Sequence, residues 1–332
     1  MRRAPSSRVV VSICFVLVLI LFSKLAAMAI AASDAVPLHP AAADGETALG
    51  PPPAWQEPAR HPLTSGNNAP PFFPSSQPSD DSLTWIDPQD RETSLAFFFD
   101  DYQDGSDVDS GWSGSFASCA AGNTSDDFRL ALLRRINYFR SMAGIPEVQG
   151  FDDNYSVDAQ AAALLMSVNG DLSHSPPKSW TCYTASGSNG AGNSNLALGA
   201  YGPAAISLYI YDPGGGNYFV GHRRWILYPQ TQIMGTGDVP AQDGYAPANA
   251  LWVFDLDHMW GPRPETRDEF IAWPPPGYVP YPVVYPRWSF AYPEANFSQT
   301  TVSMIRDGQP LAVQQNSVEN GFGENTLVWE PQ

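Results

Sequence analysis

Apolar residues first fall at helical spacing at Phe128, Leu132, Ile136 and Phe139, which share one face. Ser125 stands as N-cap, Asp126 and Asp127 complement the positive helix start, and Gly144-Ile145-Pro146 stops the helix. A second helix is predicted from a Ser156 cap, with Val157, Ala161, Leu164, Leu165 and Val168 inward and Gly170 as its stop. A third opens at Pro203, turns Ile206 and Tyr209 inward and ends at Asp212-Pro213. Between the second and third, a Gly-, Ser- and Asn-rich stretch containing Cys182 reads as a loop.

Beyond Gly221-His222-Arg223-Arg224-Trp225-Ile226-Leu227 the pattern turns to strands, at residues 232–238 and 250–255. Shorter strands are expected at 288–292, 300–306, 311–315 and 326–329, with Asp307-Gly308 as a hairpin turn, and one more at 95–99. The fold class is therefore α+β, helices mostly first. Four C-terminal strands are fewer than the roughly seven of a closed sandwich, so residues 258–332 read as a small β-rich module inside which the chain ends.

Arg2, Arg3 and Arg8 precede an apolar run over residues 9–22, followed by Ala27-Met28-Ala29 and Ala29-Ile30-Ala31. This charged, apolar, small-residue order is that of a secretory signal peptide over residues 1–31; the run is short for an uncleaved membrane anchor. A secreted, extracellular protein with no transmembrane helix in the mature chain is expected. Residues 32–95 are rich in Pro, Ala and Ser, with Pro51-Pro52-Pro53 and Pro70-Pro71, and read as a disordered stalk. Cys14 leaves with the leader, so Cys119 and Cys182 form one disulfide in an oxidising compartment; the rival is two free thiols. On the chain-entropy model such a closure is worth about 4 kcal/mol.

The chain carries 17 Lys+Arg against 34 Asp+Glu, and cleavage of the leader removes four of the former and none of the latter. That charge excludes nucleic acid and disfavours anionic lipid head groups. At 43% hydrophobic residues the chain can still build a core. Five Asp between Asp100 and Asp109 match no standard calcium loop and read as a solvated acidic loop. No serine-hydrolase elbow, H-E-x-x-H, P-loop or dinucleotide fingerprint is present.

Two histidines carry the candidate chemistry, His174 in Leu172-Ser173-His174-Ser175-Pro176-Pro177 and His222 in Gly221-His222-Arg223-Arg224. Their surroundings resemble the CAP superfamily of cysteine-rich secretory proteins, antigen 5 and pathogenesis-related 1 proteins, in its bacterial type. Asn137-Tyr138-Phe139-Arg140 with Gly144 is similar to the family's N-x-x-R-x-x-x-G, and Ser173-His174-Ser175 to the loop of its first histidine. Ser194-Asn195-Leu196-Ala197-Leu198-Gly199 resembles G-E-N-[IL] with its turn, Gly221-His222-Arg223 resembles S-P-G-H-R, and Ile233-Met234-Gly235-Thr236-Gly237 resembles I-G-x-G.

The resemblance implies a three-layer α-β-α sandwich over residues 110–257, with two His and two Glu facing a groove and the His pair able to hold zinc. Carried over, the histidines are His174 and His222, the Glu of G-E-N is Ser194, and the second Glu is Asp212. The implied groove set is His174, His222, Ser194, Asn195 and Asp212, with Asn137, Arg140, Cys119 and Cys182 structural. Arg223 and Arg224 are expected to pair with nearby acids. The leading expectation is a non-catalytic extracellular binding module whose partner is a small hydrophobic ligand, a lipid or sterol, or an extracellular protein. The alternatives are a zinc-dependent hydrolase using His174, His222 and Asp212, and a cell-surface or matrix interaction protein. Zinc is the one cofactor implied.

Overall fold

The computed structural model describes residues 48–55 and 85–332; the expected signal peptide and most of the expected stalk lie outside them. Helix α1 (Arg91–Phe97) starts where the Asp90 side chain accepts from the backbone N–H of Glu92 and Thr93, and runs into a π-helix over Phe98–Gln103. The strand expected at 95–99 is thus helical. The winding stacks Phe98 on Tyr102, ring centres 4.9 Å apart, and sets Phe97 and Tyr102 each 5.1 Å from Tyr138. A strand would place alternate side chains on opposite faces and lose this cluster.

Helix α2 (Asp126–Ala143) carries the expected Ser125 cap, whose hydroxyl accepts from Phe128 N–H, and ends at Gly144 in the left-handed region. After a short strand β2 (Gly150–Phe151), α3 (Asp153–Asn169) begins one turn earlier than the sequence reading, because Asp152 caps it by accepting from Asn154 and Tyr155 N–H. Ser156 instead lies inside the first turn and accepts from Thr236 N–H. Val157, expected inward, is exposed, and Ala159, Ala162, Ala163, Leu165 and Met166 form the buried face.

The stretch expected as a loop contains helix α4 (Ala185–Asn193), capped by Thr184, and leads into strand β3 (Ser194–Leu198). Its glycines permit close approach to α3: a Cβ on Gly190 would fall 2.0 Å from the Asp158 carbonyl oxygen. The Asp158 carboxylate meanwhile accepts from Ser186 Oγ and Asn189 Nδ2 across the same contact. Next come α5 (Gly202–Tyr211), α6 (Gly221–Ile226), β4 (Ile233–Val239) and β5 (Ala248–Trp252).

Strand β1 (Ala48–Leu49) belongs to the expected stalk, yet it forms the edge of a five-stranded sheet of order β1-β3-β5-β4-β2. Only β2 and β4 pair in parallel. Alternation along the strands separates two cores. Leu196, Leu198, Ala250 and Trp252 pack with α3, whereas Ala197 and Leu251 pack with Leu132, Ile136, Ile206 and Tyr209 of α2 and α5. The result is the α-β-α arrangement of an α+β domain. Cys119 and Cys182 are bonded, Cα atoms 5.2 Å apart, tying the segment before α2 to the loop before α4. No described helix is long and apolar enough to cross a membrane.

The C-terminal module forms a four-stranded antiparallel sheet from β6 (Ile271–Trp273), β7 (Trp288–Ala291), β10 (Val313–Gln315) and β11 (Thr326–Pro331). The hairpin β8 (Met304–Arg306) and β9 (Gln309–Leu311) turns at Asp307-Gly308 as expected. Ile271, Trp273 and Ala291 join the core beneath α2, Trp273 with its ring 5.0 Å from Phe139. The module is therefore built into the helical layer.

Candidate functional site

Helix α5 ends at Asp212, which adopts φ +52° and so turns the chain sharply toward the Gly214–Gly216 insertion. The turn aims the carboxylate back at α6. Oδ1 accepts from His222 Nδ1 at 2.8 Å, while Oδ2 accepts from the backbone N–H of His222 at 2.9 Å and of Arg223 at 3.4 Å. The carboxylate thereby calls for the ring hydrogen on Nδ1. Tyr209 stacks on the ring at 5.6 Å. His222 and Asp212 are fully buried.

His174 comes from the loop after α3. Its Nδ1 lies 2.6 Å from the Ala191 carbonyl oxygen and its Nε2 2.7 Å from that of Pro51. Burial holds its pKa below the usual histidine value against the raising effect of both carbonyls, and His222 disfavours its protonation further. The two rings thus share one electrostatic environment. Ser194 and Asn195 open β3 fully buried, and Asn195 Nδ2 donates to the His222 carbonyl. Three atoms of this set are buried without a hydrogen-bond partner among the described residues: His222 Nε2, Ser194 Oγ and Asn195 Oδ1.

The supporting residues act on main chain. Asn137 exchanges hydrogen bonds with both backbone groups of Val148 at 2.9 and 2.8 Å. Arg140, completely buried, donates to the carbonyls of Pro146, Ile226, Tyr228 and Thr231 at 2.7, 2.7, 3.0 and 2.8 Å. Burial lowers its pKa to about 9, so it stays cationic at neutral pH. Arg223 and Arg224 do not pair with acids as expected. Arg223 donates to the carbonyls of Ile210, Tyr211 and Arg287 and to Ser289 Oγ, and Arg224 to those of Glu319 and Glu324. Guanidinium forks satisfy loop carbonyls that no secondary structure reaches.

Two supports carry no sequence signal. Arg287, just before β7, donates to the carbonyls of Asp212 at 2.6 Å, Asn217 at 3.1 Å and Gly214 at 2.8 Å, holding the insertion closed. Asp238, fully buried on β4, accepts from Gly202 N–H at 2.6 Å, Asn249 Nδ2 at 2.9 Å and Thr236 Oγ1 at 2.9 Å, which fixes the start of α5. Tyr209 OH extends this network to Asn249 Oδ1 and the Asn195 carbonyl.

Burial raises the Asp238 pKa from 3.8 to about 6 despite its three donors. Between about pH 4 and 6 the folded state therefore holds a proton that the unfolded state has released, so stability falls as pH rises through that window. The shift corresponds to about 3 kcal/mol at 1.36 kcal/mol per unit. Asp238→Asn is expected to remove that slope, so that urea unfolding at pH 4 and pH 6.5 differs less in the variant than in the parent chain. An unchanged difference would assign the slope to another group.

Both His174 ring nitrogens face backbone carbonyl oxygens, only one of which a neutral ring can serve as N–H donor, and Asp212 accepts from His222 on both oxygens; His222 Nε2 has no partner among the described residues. No group of three His, Cys, Asp or Glu suited to a metal occurs among the described residues. The residues present do not fit zinc with Pro51 seated, and Asp212 acts as the orienting partner of His222 rather than a third ligand.

The segment after β1 lies against these residues. Ala48 and Leu49 pair with Leu198 and Ala197 of β3. Pro52 and Pro53 are buried, and the Pro53 carbonyl accepts from Trp225 Nε1 at 2.9 Å. Trp55 sets its ring edge-on to Phe254 at 5.2 Å.

No curated protein and no solved structure matches the chain. The family model of the cysteine-rich secretory protein family, CAP, matches residues 133–256, the stretch that runs from α2 through β5 and contains both histidines. Motif order, the α-β-α layering and that match agree: residues 133–256 form a CAP domain.

Proposed function

We propose that this is an exported protein whose CAP domain is a non-catalytic binding module, with a groove beside His174 and His222 that takes an apolar ligand bearing oxygen acceptors. The observation that carries this reading is the state of the carboxylates. Ser194 stands where the family motif has Glu, and Asp212 is committed on both oxygens to His222. The groove is left with imidazole and indole donors but no free carboxylate base of the kind hydrolysis asks for. Its inner face asks for oxygen: His174 Nε2 and Trp225 Nε1 both meet carbonyl oxygens, over a surface of Gly221, Phe219 and Trp225. A sterol or lipid, with an apolar body and an oxygen head group, is the small-molecule form of that chemistry.

The family is typically extracellular, which agrees with the leader expected at residues 1–31. The reading expects no turnover of a casein-derived peptide mixture or of p-nitrophenyl esters above the level of a His222→Ala variant. It also expects no zinc to survive dialysis at pH 7.5 after micromolar metal is supplied. Hydrolysis abolished by His222→Ala, or one zinc per chain lost in the His174→Ala/His222→Ala variant, overturns it.

A further inference from the structure

The groove already shows what kind of molecule it reads. From Ala48 to Trp55 the chain lies against the residues around His174 and Trp225. The backbone of Ala48 and Leu49 adds to the edge of β3 in antiparallel register. The Pro51 carbonyl meets His174 Nε2 at 2.7 Å and the Pro53 carbonyl meets Trp225 Nε1 at 2.9 Å. Between them Pro52 sits on Gly221, where a Cβ would fall 2.4 Å from Pro52 Cγ; any other residue at 221 would crowd it out. Trp55 ends the contact against Phe254 and Trp260, ring centres 5.2 and 5.3 Å away.

The chemistry is selective. A prolyl residue has no N–H, so a Pro-Pro-Pro run offers carbonyl acceptors and apolar rings and nothing to donate. Opposite it lie the Trp225 indole N–H, the His174 Nε2, which donates in the Nε2–H tautomer of the ring, a glycine slot and aromatic faces. Such a run is also held extended before it binds, so little conformational freedom is lost on docking. A segment serving only as cover would need apolar area, not an indole N–H on the Pro53 carbonyl and an imidazole nitrogen on that of Pro51.

We propose that this groove is a recognition site for an extended, proline-rich polypeptide, and that residues Ala48–Trp55 are its resident occupant. The inference rests on the binding-module reading and takes a polypeptide, in place of the sterol or lipid, as the occupant of the groove. Tethering gives the resident segment an effective concentration on the order of millimolar, so a free peptide competes poorly with it in the intact chain. Occupation by the resident segment also covers His174, and access to the histidines follows its displacement.

The test uses the full chain with the occupant weakened, Pro52→Asp/Trp55→Ala, and a fluorescein-labelled peptide of sequence ALGPPPAW read by anisotropy. The variant is expected to bind the peptide at least tenfold more tightly than the parent chain. Adding Trp225→Phe, which removes the indole donor, is expected to lower that affinity about tenfold, as is replacing the peptide by ALGAAAAW. A folded variant that binds neither peptide, or binds both equally, overturns the proposal.

Should the double variant fail to fold, a thrombin site placed at residues 56–61 of the otherwise unaltered chain gives the second readout. After cleavage the amino-terminal fragment is expected to exchange with labelled peptide on dilution. A fragment that separates only on denaturation overturns the proposal. Peptidase activity dependent on His222 would sink the binding-module reading while leaving the peptide affinity intact, so the two failures are distinguishable.

Discussion

Arg140→Met is expected to lower Tm by roughly 10 °C or more, the largest effect of any single substitution at the supports of the site. The guanidinium is completely buried and serves four carbonyl oxygens, one from Pro146 and three from the chain that follows His222. Methionine fills much of the volume and removes every donor. Each buried carbonyl left unpaired costs about 1–3 kcal/mol, so four together threaten roughly 4 kcal/mol or more. For a domain of this size one kcal/mol moves Tm by about 2–4 °C.

Arg140→Lys separates charge from geometry. An ammonium keeps the charge but replaces the planar fork by a compact donor, and is expected to recover less than half of the loss. Thermal unfolding followed by circular dichroism measures both variants. A shift under about 2 °C for the methionine variant would mean that water reaches these carbonyls, contrary to their burial. Because Ile226 closes α6, the variant should also loosen His222, seen as faster hydrogen exchange at residues 221–227.

The helices that periodicity announced are those whose ends are written in side chains. Ser125 and Gly144 bracket α2 at the expected places because a hydroxyl cap and a left-handed glycine are local devices. The start of α3 lies one turn before the expected Ser156 cap, at Asp152, whose carboxylate caps as readily as a serine hydroxyl. Packing ranks them: Ser156 is needed at Thr236 on β4, so Asp152 takes the cap. Helix α4 was illegible for a deeper reason. Its glycines and asparagines argue against a helix in isolation, and it exists because Gly190 lets its backbone touch that of α3.

Motifs pointed to His174, His222, Ser194 and Asp212, yet their wiring was not readable. That Asp212 serves His222 through both oxygens depends on a left-handed turn and on Arg287, which lies 75 residues further along the chain. The proline run misled most. Three prolines in a row exclude helix and central strand, so composition suggested a free stalk. Only the surface opposite, with its glycine slot, the Trp225 indole N–H and the His174 ring, turns the same rigidity into a docked segment.

Asp212→Asn is expected to move the His222 hydrogen from Nδ1 to Nε2 and to cost about 2–3 kcal/mol. Asparagine tolerates the left-handed backbone that Asp212 adopts, so the turn itself survives. The carboxylate accepts on both oxygens, from the ring Nδ1–H on one side and from two backbone N–H groups on the other. An amide accepts on one side only. With its oxygen toward the fixed backbone donors, its NH2 faces His222 Nδ1, which must then become the acceptor and pass the hydrogen to Nε2. With the amide reversed, two backbone donors face an NH2 group, a worse arrangement.

The cost follows from losing charge-assisted hydrogen bonds in a dry site, each worth about 1.5–3 kcal/mol. The nitrogen-15 shifts of the His222 ring report the tautomer directly, and urea unfolding reports the cost. The switch converts the bare, buried Nε2 from an acceptor into a donor, so a groove that asks its ligand for oxygen gains one more donor at its floor. Peptide affinity in the weakened-occupant background should then change by less than about threefold, because Pro51 and Pro53 are read by His174 and Trp225 and not by His222. Retention of the Nδ1 hydrogen in Asp212→Asn would mean that the carboxylate does not set the tautomer, and the orienting role assigned to Asp212 would fall with it.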